Sequence, residues 1–548
     1  MAKNFLIVLF AAIVLVGGGA GYLFYSQLRT TPNKAINAIP GNAAIIIESR
    51  DFQNAWLKLR ETTLFWRTLT GVDFIKNLNE NTSFLDSVFS AESKAAMLIK
   101  GRPSFISAHL VGANDYSFLF LVSLKNIRQI SEIDHVVVKS SSGIEVNKRI
   151  YDKVTISEIK VSNKELFSYT FSKGIFIGSF SSMLVEDAIR ASAAEDKLTL
   201  NLSFNTAYNT ISKSAAMHLF YNYNSVFEYT NLFINKPLST TDFSGWTATD
   251  LSLKNQLIIA NGFGAINNSV TNFTDVLANQ SSEKISIIDI IPENTSFLFA
   301  IGFDNAKQLF DKKNKILQQQ NNFWNWDKHR KLIQDSNNVN YNEFINELQG
   351  EAGIFNTSAT QSEQQQYAFF KSKNSITASS LIQGLITNKK SYTEYPINTL
   401  ADANITAQLF GDLFNNNAPY FTIIDDYFIF GSTVASLEYL IDNYKSENTL
   451  ASSQHFSNYS NYFLSKSNLF FYINPGKIAA TLKNKLQNSY QKNLVFNTDS
   501  IAKFTAFSLQ MTTKKDLLLN NISLFYDNDF EQAEMEQELA LEQQELAN

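Results

Sequence analysis

The stretch Ile39-Pro40-Gly41-Asn42-Ala43-Ala44-Ile45-Ile46-Ile47 recurs as Ile291-Pro292-Glu293-Asn294-Thr295-Ser296-Phe297-Leu298-Phe299, a shift of 291 − 39 = 252 residues. Each version opens on Ile-Pro-x-Asn and runs into a strand-like apolar segment. The same shift returns downstream without a gap, pairing Leu198 with Leu450, Phe204 with Phe456, Met217 with Leu469, Leu219 with Phe471 and Asn222 with Asn474. Chance rarely keeps one register over so long a chain, and the period is far too long for a solenoid unit. Between the blocks the shift moves by a residue, Tyr116 falling over Tyr367 and Gly178-Ser179 over Gly431-Ser432, as short loop insertions produce. The strands read at 256–261 and 516–521 close the correspondence. A chain of 548 residues also exceeds what one hydrophobic core usually organises. The reading is two tandem copies of one domain, at 39–280 and 287–530.

Within each copy the pattern is legible. Apolar runs at 43–47 and 297–301 read as buried strands. Asp51 and Asp304 follow as N-caps, the first opening a helix with Phe52, Trp56, Leu59 and Thr63 on its inner face. A strand is expected at 116–122. Hairpins come next, 167–171 turning at Ser172-Lys173-Gly174 into 175–177, and 420–424 turning at Asp425-Asp426 into 427–430. Ser179 and Ser432 are placed to cap helices through 184–189 and 437–441, and strands at 217–223 and 469–473 complete the unit. Strands, hairpins and helices interleave, which predicts an α+β fold with a largely antiparallel sheet.

Ahead of this lies 5–25, FLIVLFAAIVLVGGGAGYLFY, 21 residues without a charge. As a helix at ~1.5 Å per residue it matches the ~30 Å hydrocarbon core. A cleaved signal peptide, with Gly17 to Gly21 as the cleavage zone, is the competing reading. Tyr22 to Tyr25 extend the apolar run and favour an uncleaved signal-anchor. Lys3 and the α-amine nearly balance Arg29 and Lys34, so orientation follows from the short tail (1–4) and the large domain beyond it. The expectation is a single inner-membrane span, a polar linker at 26–38 and the C-terminal bulk in the periplasm.

Net charge is −5 and no run of Lys or Arg concentrates positive potential, which argues against a nucleic-acid partner. Cysteine is absent, removing disulfides, thiolate metal sites and cysteine nucleophiles. The five histidines, His109, His135, His218, His329 and His455, are scattered, and His218 falls opposite Phe470 in the other copy. Asp425-Asp426 could in principle divide into acid and base, yet a turn explains it and its counterpart Ser172-Lys173-Gly174 alike. Gly178-Ser179 and Gly431-Ser432 do not fit G-x-S-x-G. Gly262-Phe263-Gly264 lacks the third glycine of a dinucleotide loop and reads as a strand end or bulge. The five tryptophans, Trp56, Trp66, Trp246, Trp324 and Trp326, either fill the core or line a groove for an apolar ligand. The tail at 531–548, with six acids and no base, reads as a solvating acidic helix or a hook for a partner. No catalytic, cofactor-binding or metal-ligating residue is assigned, and no cofactor is expected.

With anchor, linker, Ile-Pro-x-Asn opening, Asp-capped helix and two-fold repeat assembled, the chain resembles bacterial membrane-anchored envelope proteins of the DUF3352 type, a domain of unknown function, and looks like a Bacteroidota member. That resemblance carries over no functional residues. It implies that Asp86-Ser87-Val88 and Asp499-Ser500-Ile501 are similar to the Asp-Ser/Thr-aliphatic sites of periplasmic O-glycosylation. The leading expectation is a non-enzymatic, membrane-held binding or scaffold module with an envelope protein partner. The alternatives are a carrier or chaperone for lipid or another apolar ligand, and a hydrolase with its site between the copies.

Overall fold

A computed structural model describes the chain from Ala35 to Asp527 with gaps, the longest at 89–98, 125–133, 138–145, 232–244, 267–275 and 484–500. The segments read as anchor (5–25) and acidic tail (531–548) lie outside the described residues; among the described residues no helix is long and apolar enough to cross a membrane. The chain forms two compact units, the first from the described parts of Met1–Phe52, Val88–Tyr221 and Trp246–Asp250, the second from those of Gln53–Ser87, Asn222–Gly245 and Leu251–Asn548.

In the first unit the strands are β1 (Ile45–Ser49), β2 (Ser104–Leu110), β3 (Tyr116–Ser123), β4 (Asn147–Tyr151), β5 (Val154–Ser162), β6 (Glu165–Ser172), β7 (Ile175–Ser179) and β8 (Met217–Asn222). They pair antiparallel in the order β8–β1–β2–β3–β7–β6–β5–β4. The strand β9 (Trp246–Lys254) carries the chain out of this unit, and β10 (Leu257–Ala265) belongs to the second. There the strands are β11 (Thr295–Phe303), β12 (Leu348–Thr357), β13 (Gln365–Ser372), β14 (Ile386–Tyr392), β15 (Tyr395–Leu400), β16 (Tyr420–Ile424), β17 (Tyr427–Gly431), β18 (Leu469–Ile473), β19 (Phe504–Lys514) and β20 (Leu517–Tyr526). Their antiparallel order is β14–β15–β16–β17–β13–β12–β11–β18–β19–β20–β10. The α+β class with a large antiparallel sheet is therefore observed.

Each core follows from strand alternation against an amphipathic helix. In the first unit Ile46, Phe105, Leu121, Ile177 and Phe220 meet Leu184, Val185, Ala188 and Ile189 of the Ser182–Ala193 helix, and Phe204 and Tyr208 of the Leu202–Tyr208 helix. In the second, Leu298, Phe355, Tyr367, Phe369 and Phe470 meet Leu437, Leu440 and Ile441 of the Val434–Lys445 helix, and Phe456 and Tyr459 of the Gln454–Ser460 helix. Full burial of each large apolar side chain contributes about 1.5–3 kcal/mol.

Several local expectations need correction. The strand read at 43–47 begins two residues later, because Ala43 N–H turns back to the Pro40 carbonyl. The linker read at 26–38 ends earlier, since Ala35–Ala38 forms a 3-10 turn with Ala35, Ile36 and Ala38 buried. Asn305, not Asp304, caps the Ala306–Gln319 helix by accepting Gln308 N–H at 2.9 Å; Asp304 instead accepts from the Ser281 backbone and hydroxyl. Thr433, not Ser432, caps the Val434–Lys445 helix. At Ser182–Ala193 the N-cap position is Ser181, which makes no side-chain cap bond, while Ser179 donates to the Phe118 carbonyl. Gly262-Phe263-Gly264 lies inside β10, in register with Asn520, Leu519 and Leu518, rather than at a strand end or bulge.

Candidate functional site

The most chemically loaded place in the described structure is a row across three strands of the first unit: Glu48 in β1, His218 in β8 and Asp250 in β9. Glu48 faces His218 directly in the ladder, and cross-strand partners of this kind share a sheet face. His218 Nδ1 donates to Asp250 Oδ1 at 3.0 Å, and Asp250 also accepts the Ser212 backbone N–H at 3.0 Å. Alternation sends Glu48 to the same side as Ile46, under the Leu202–Tyr208 helix, where it is only 2% exposed.

Burial there pushes the Glu48 carboxyl up to about 7, against the pull of the Arg50 guanidinium and the Tyr208 hydroxyl. Tyr208 is itself pushed up, first by burial and then by Glu48. His218 is held down by burial, which Asp250 opposes. Glu48 Oε2 has no hydrogen-bond partner among the described residues. A carboxyl that exchanges a proton near neutrality beside an oriented His–Asp pair has the parts for acid–base chemistry. Access is the obstacle: His218 is 6% exposed, and Asp250 alone of the three reaches solvent appreciably. In the second unit the row at the same place in the ladder reads Ala300, Phe470 and Gln510, with Gln510 bonded to both Leu464 N–H and its carbonyl.

A second buried carboxylate, Glu351 in β12, is a structural clamp. Its Oε1 accepts Ser286 N–H at 2.7 Å, Ile287 N–H at 3.1 Å and the Tyr427 hydroxyl, pinning the 3-10 turn Ile287–Asp289 to the sheet. Burial pushes this carboxyl up to about 7. Neither glutamate stood out in the sequence. The available signal was an acid at inward parity within an apolar strand, Ile45-Ile46-Ile47-Glu48.

The remaining histidines do not converge. His109 is fully buried between Asn42 Oδ1 (3.1 Å) and Ser107 Oγ (2.8 Å), and burial pushes it down to about 3. This ties Asn42 of the Ile-Pro-x-Asn opening to β2. His329 lies 3.6 Å from Asp402, His455 lies 3.1 Å from Asp527, and His135 is exposed. Among the described residues no three His, Asp or Glu are placed to hold a metal ion.

Asp425 and Asp426 form the turn between β16 and β17: the Asp426 carboxylate accepts Ser375 N–H, its carbonyl takes Ser372, and Asp425 accepts from Tyr444. Trp56 and Trp66 are buried edge to face at 5.0 Å, Trp246 packs edge-on against Phe204, Trp324 is exposed, and the Trp326 side chain lies outside the described residues. A depression over the Ala306–Gln319 helix is lined by the charged and amide residues Asn305, Lys307, Gln308, Asp311, Lys312, Lys315 and Asn346. Neither a family profile, nor a curated protein, nor a solved structure matches this chain.

Proposed function

We propose that the chain is a non-enzymatic, membrane-anchored binding or scaffold module of the bacterial envelope. Residues 5–25 span the inner membrane, and two copies of one α+β domain, 39–280 and 287–530, face the periplasm and engage an envelope protein. The resemblance to DUF3352-type proteins belongs to the same proposal.

The observation that carries it is a register. Ile47 pairs with Leu219 and Phe299 pairs with Phe471, so both partners move by the 252 residues that relate the two Ile-Pro-x-Asn openings. The strand order β8–β1–β2–β3–β7–β6–β5–β4 also parallels β18–β11–β12–β13–β17–β16–β15–β14. Apolar and capping positions recur, as with Asn222 and Asn474, which both cap helices, whereas the charged row does not. Selection that keeps a scaffold while letting its acid–base groups diverge fits a binding surface better than a shared reaction. The carrier and hydrolase readings lack comparable support, since the depression described above is lined by charged and amide residues and Glu48 and His218 are enclosed.

Affinity capture of the full chain after crosslinking in intact membranes is the test. A reproducible envelope protein partner is expected; repeated capture with none recovered above an unrelated anchored control would sink the proposal.

A further inference from the structure

The chain enters the first unit at Ala35–Ala38, with nine residues between it and Tyr25, the end of the apolar segment. The Thr199 hydroxyl donates to Asn37 Oδ1 at 2.6 Å, holding the 3-10 turn Leu198–Leu200 against that entry point. Leu198 is buried, yet the leucines that follow it at alternate positions are bare: Leu200 is 69% and Leu202 is 80% exposed. Their exposure is built in. Asn201 between them caps the Leu202–Tyr208 helix by accepting Phe204 N–H at 3.0 Å, and Phe204 is locked in the core. Nine residues reach at most about 30 Å when extended and about 17 Å as a flexible coil, so the leucines stay within tether range of the bilayer.

We infer that Leu200 and Leu202 insert into the interfacial layer of the membrane that residues 5–25 cross, docking the first unit on the bilayer surface. The inference rests on the anchor reading of 5–25. The occupant is lipid because this exposed apolar pair sits beside the place where the chain arrives from the span, and interfacial burial releases the water ordered on both side chains. Exposed Glu195 and Asp196 lie a few residues upstream, so attraction to anionic headgroups is not the driving force. Docking is therefore insensitive to salt and to anionic lipid content.

The chain has no cysteine, so single labels report cleanly. Full chains carrying Leu200→Cys, Leu202→Cys or, as a remote control, Ile150→Cys (parent residue 78% exposed) are labelled with an environment-sensitive fluorophore and reconstituted in phosphatidylcholine nanodiscs. A lipid-borne quencher is expected to dim the labels at 200 and 202 several-fold more than the label at 150, equally with and without phosphatidylglycerol. Adding Leu200→Asp to the Leu202→Cys chain is expected to abolish the difference. Quenching at 200 and 202 no greater than at 150, or unchanged by Leu200→Asp, overturns the docking while leaving the anchor intact. Shielding that persists in detergent and follows protein concentration assigns the leucines to a second copy instead and also overturns it. Release of the unlabelled chain by alkaline carbonate overturns the anchor itself.

Discussion

Glu48 keeps a proton in the folded protein that the unfolded chain loses near pH 4.5, because its carboxyl is pushed up to about 7. Between those values the native state binds more protons, so this contribution is fully present below pH 4.5 and is lost as pH rises through 7. At ~1.4 kcal/mol per unit the loss is roughly 3 kcal/mol. Glu48→Gln retains an acceptor for Tyr208 without the charge. Urea unfolding should find it more stable than the parent by that order at pH 8 and indistinguishable at pH 4; equal midpoints at both pH values would refute the account. His109 runs the other way: held down to about 3 against an ordinary 6.5, it contributes stability above pH 6.5 that drains away as pH falls toward 3. Its ring should remain neutral by nuclear magnetic resonance at pH 5, and protonation there would refute the burial argument. That His218 falls opposite Phe470 at the 252-residue shift was legible in the sequence, but nothing there hinted at Asp250, which is 32 residues away in the chain. Contacts of that range depend on which strands become neighbours.

At the level of helices and strands, the hairpins were the most legible parts, because turn chemistry is local. Lys173 and Gly174 both adopt positive φ, and Asp425 does the same in the β16–β17 turn. Caps were less legible: Ser432 precedes by one residue the Thr433 that reaches the Ser436 N–H, while Ser179 lies two residues before the N-cap position Ser181, whose side chain makes no cap bond. Thr433→Ala should therefore cost about 0.5–2 kcal/mol, whereas Ser181→Ala should stay within about 0.5 kcal/mol; thermal melts giving equal losses would contradict this assignment. Close backbone approaches were not legible at all. A Cβ on Gly353 in β12 would stand 2.2 Å from the Phe299 carbonyl oxygen and 2.6 Å from the Phe369 ring. Gly353→Ala should destabilise the protein by at least about 1–3 kcal/mol, and a neutral effect on the urea midpoint would show that β11 and β12 can separate there at little cost.

For the whole molecule, the repeated Ile-Pro-x-Asn opening located the strands, while the compact units do not follow the linear halves. Residues 251–265 sit late in the first half, yet belong to the second unit through nine consecutive pairs, from Leu257 with Phe525 to Ala265 with Leu517. Period and hydropathy say where strands are, not which one a final strand chooses when two edges are open. That pairing has a practical corollary for anyone handling the protein. A protease nick between β10 and β11 should yield two bands on a denaturing gel but one peak, at the intact size, on a native sizing column. A fragment expressed only as far as residue 286 would leave the nine-residue β10 edge, which opens on Leu257-Ile258-Ile259, without its β20 partner, an invitation to aggregate.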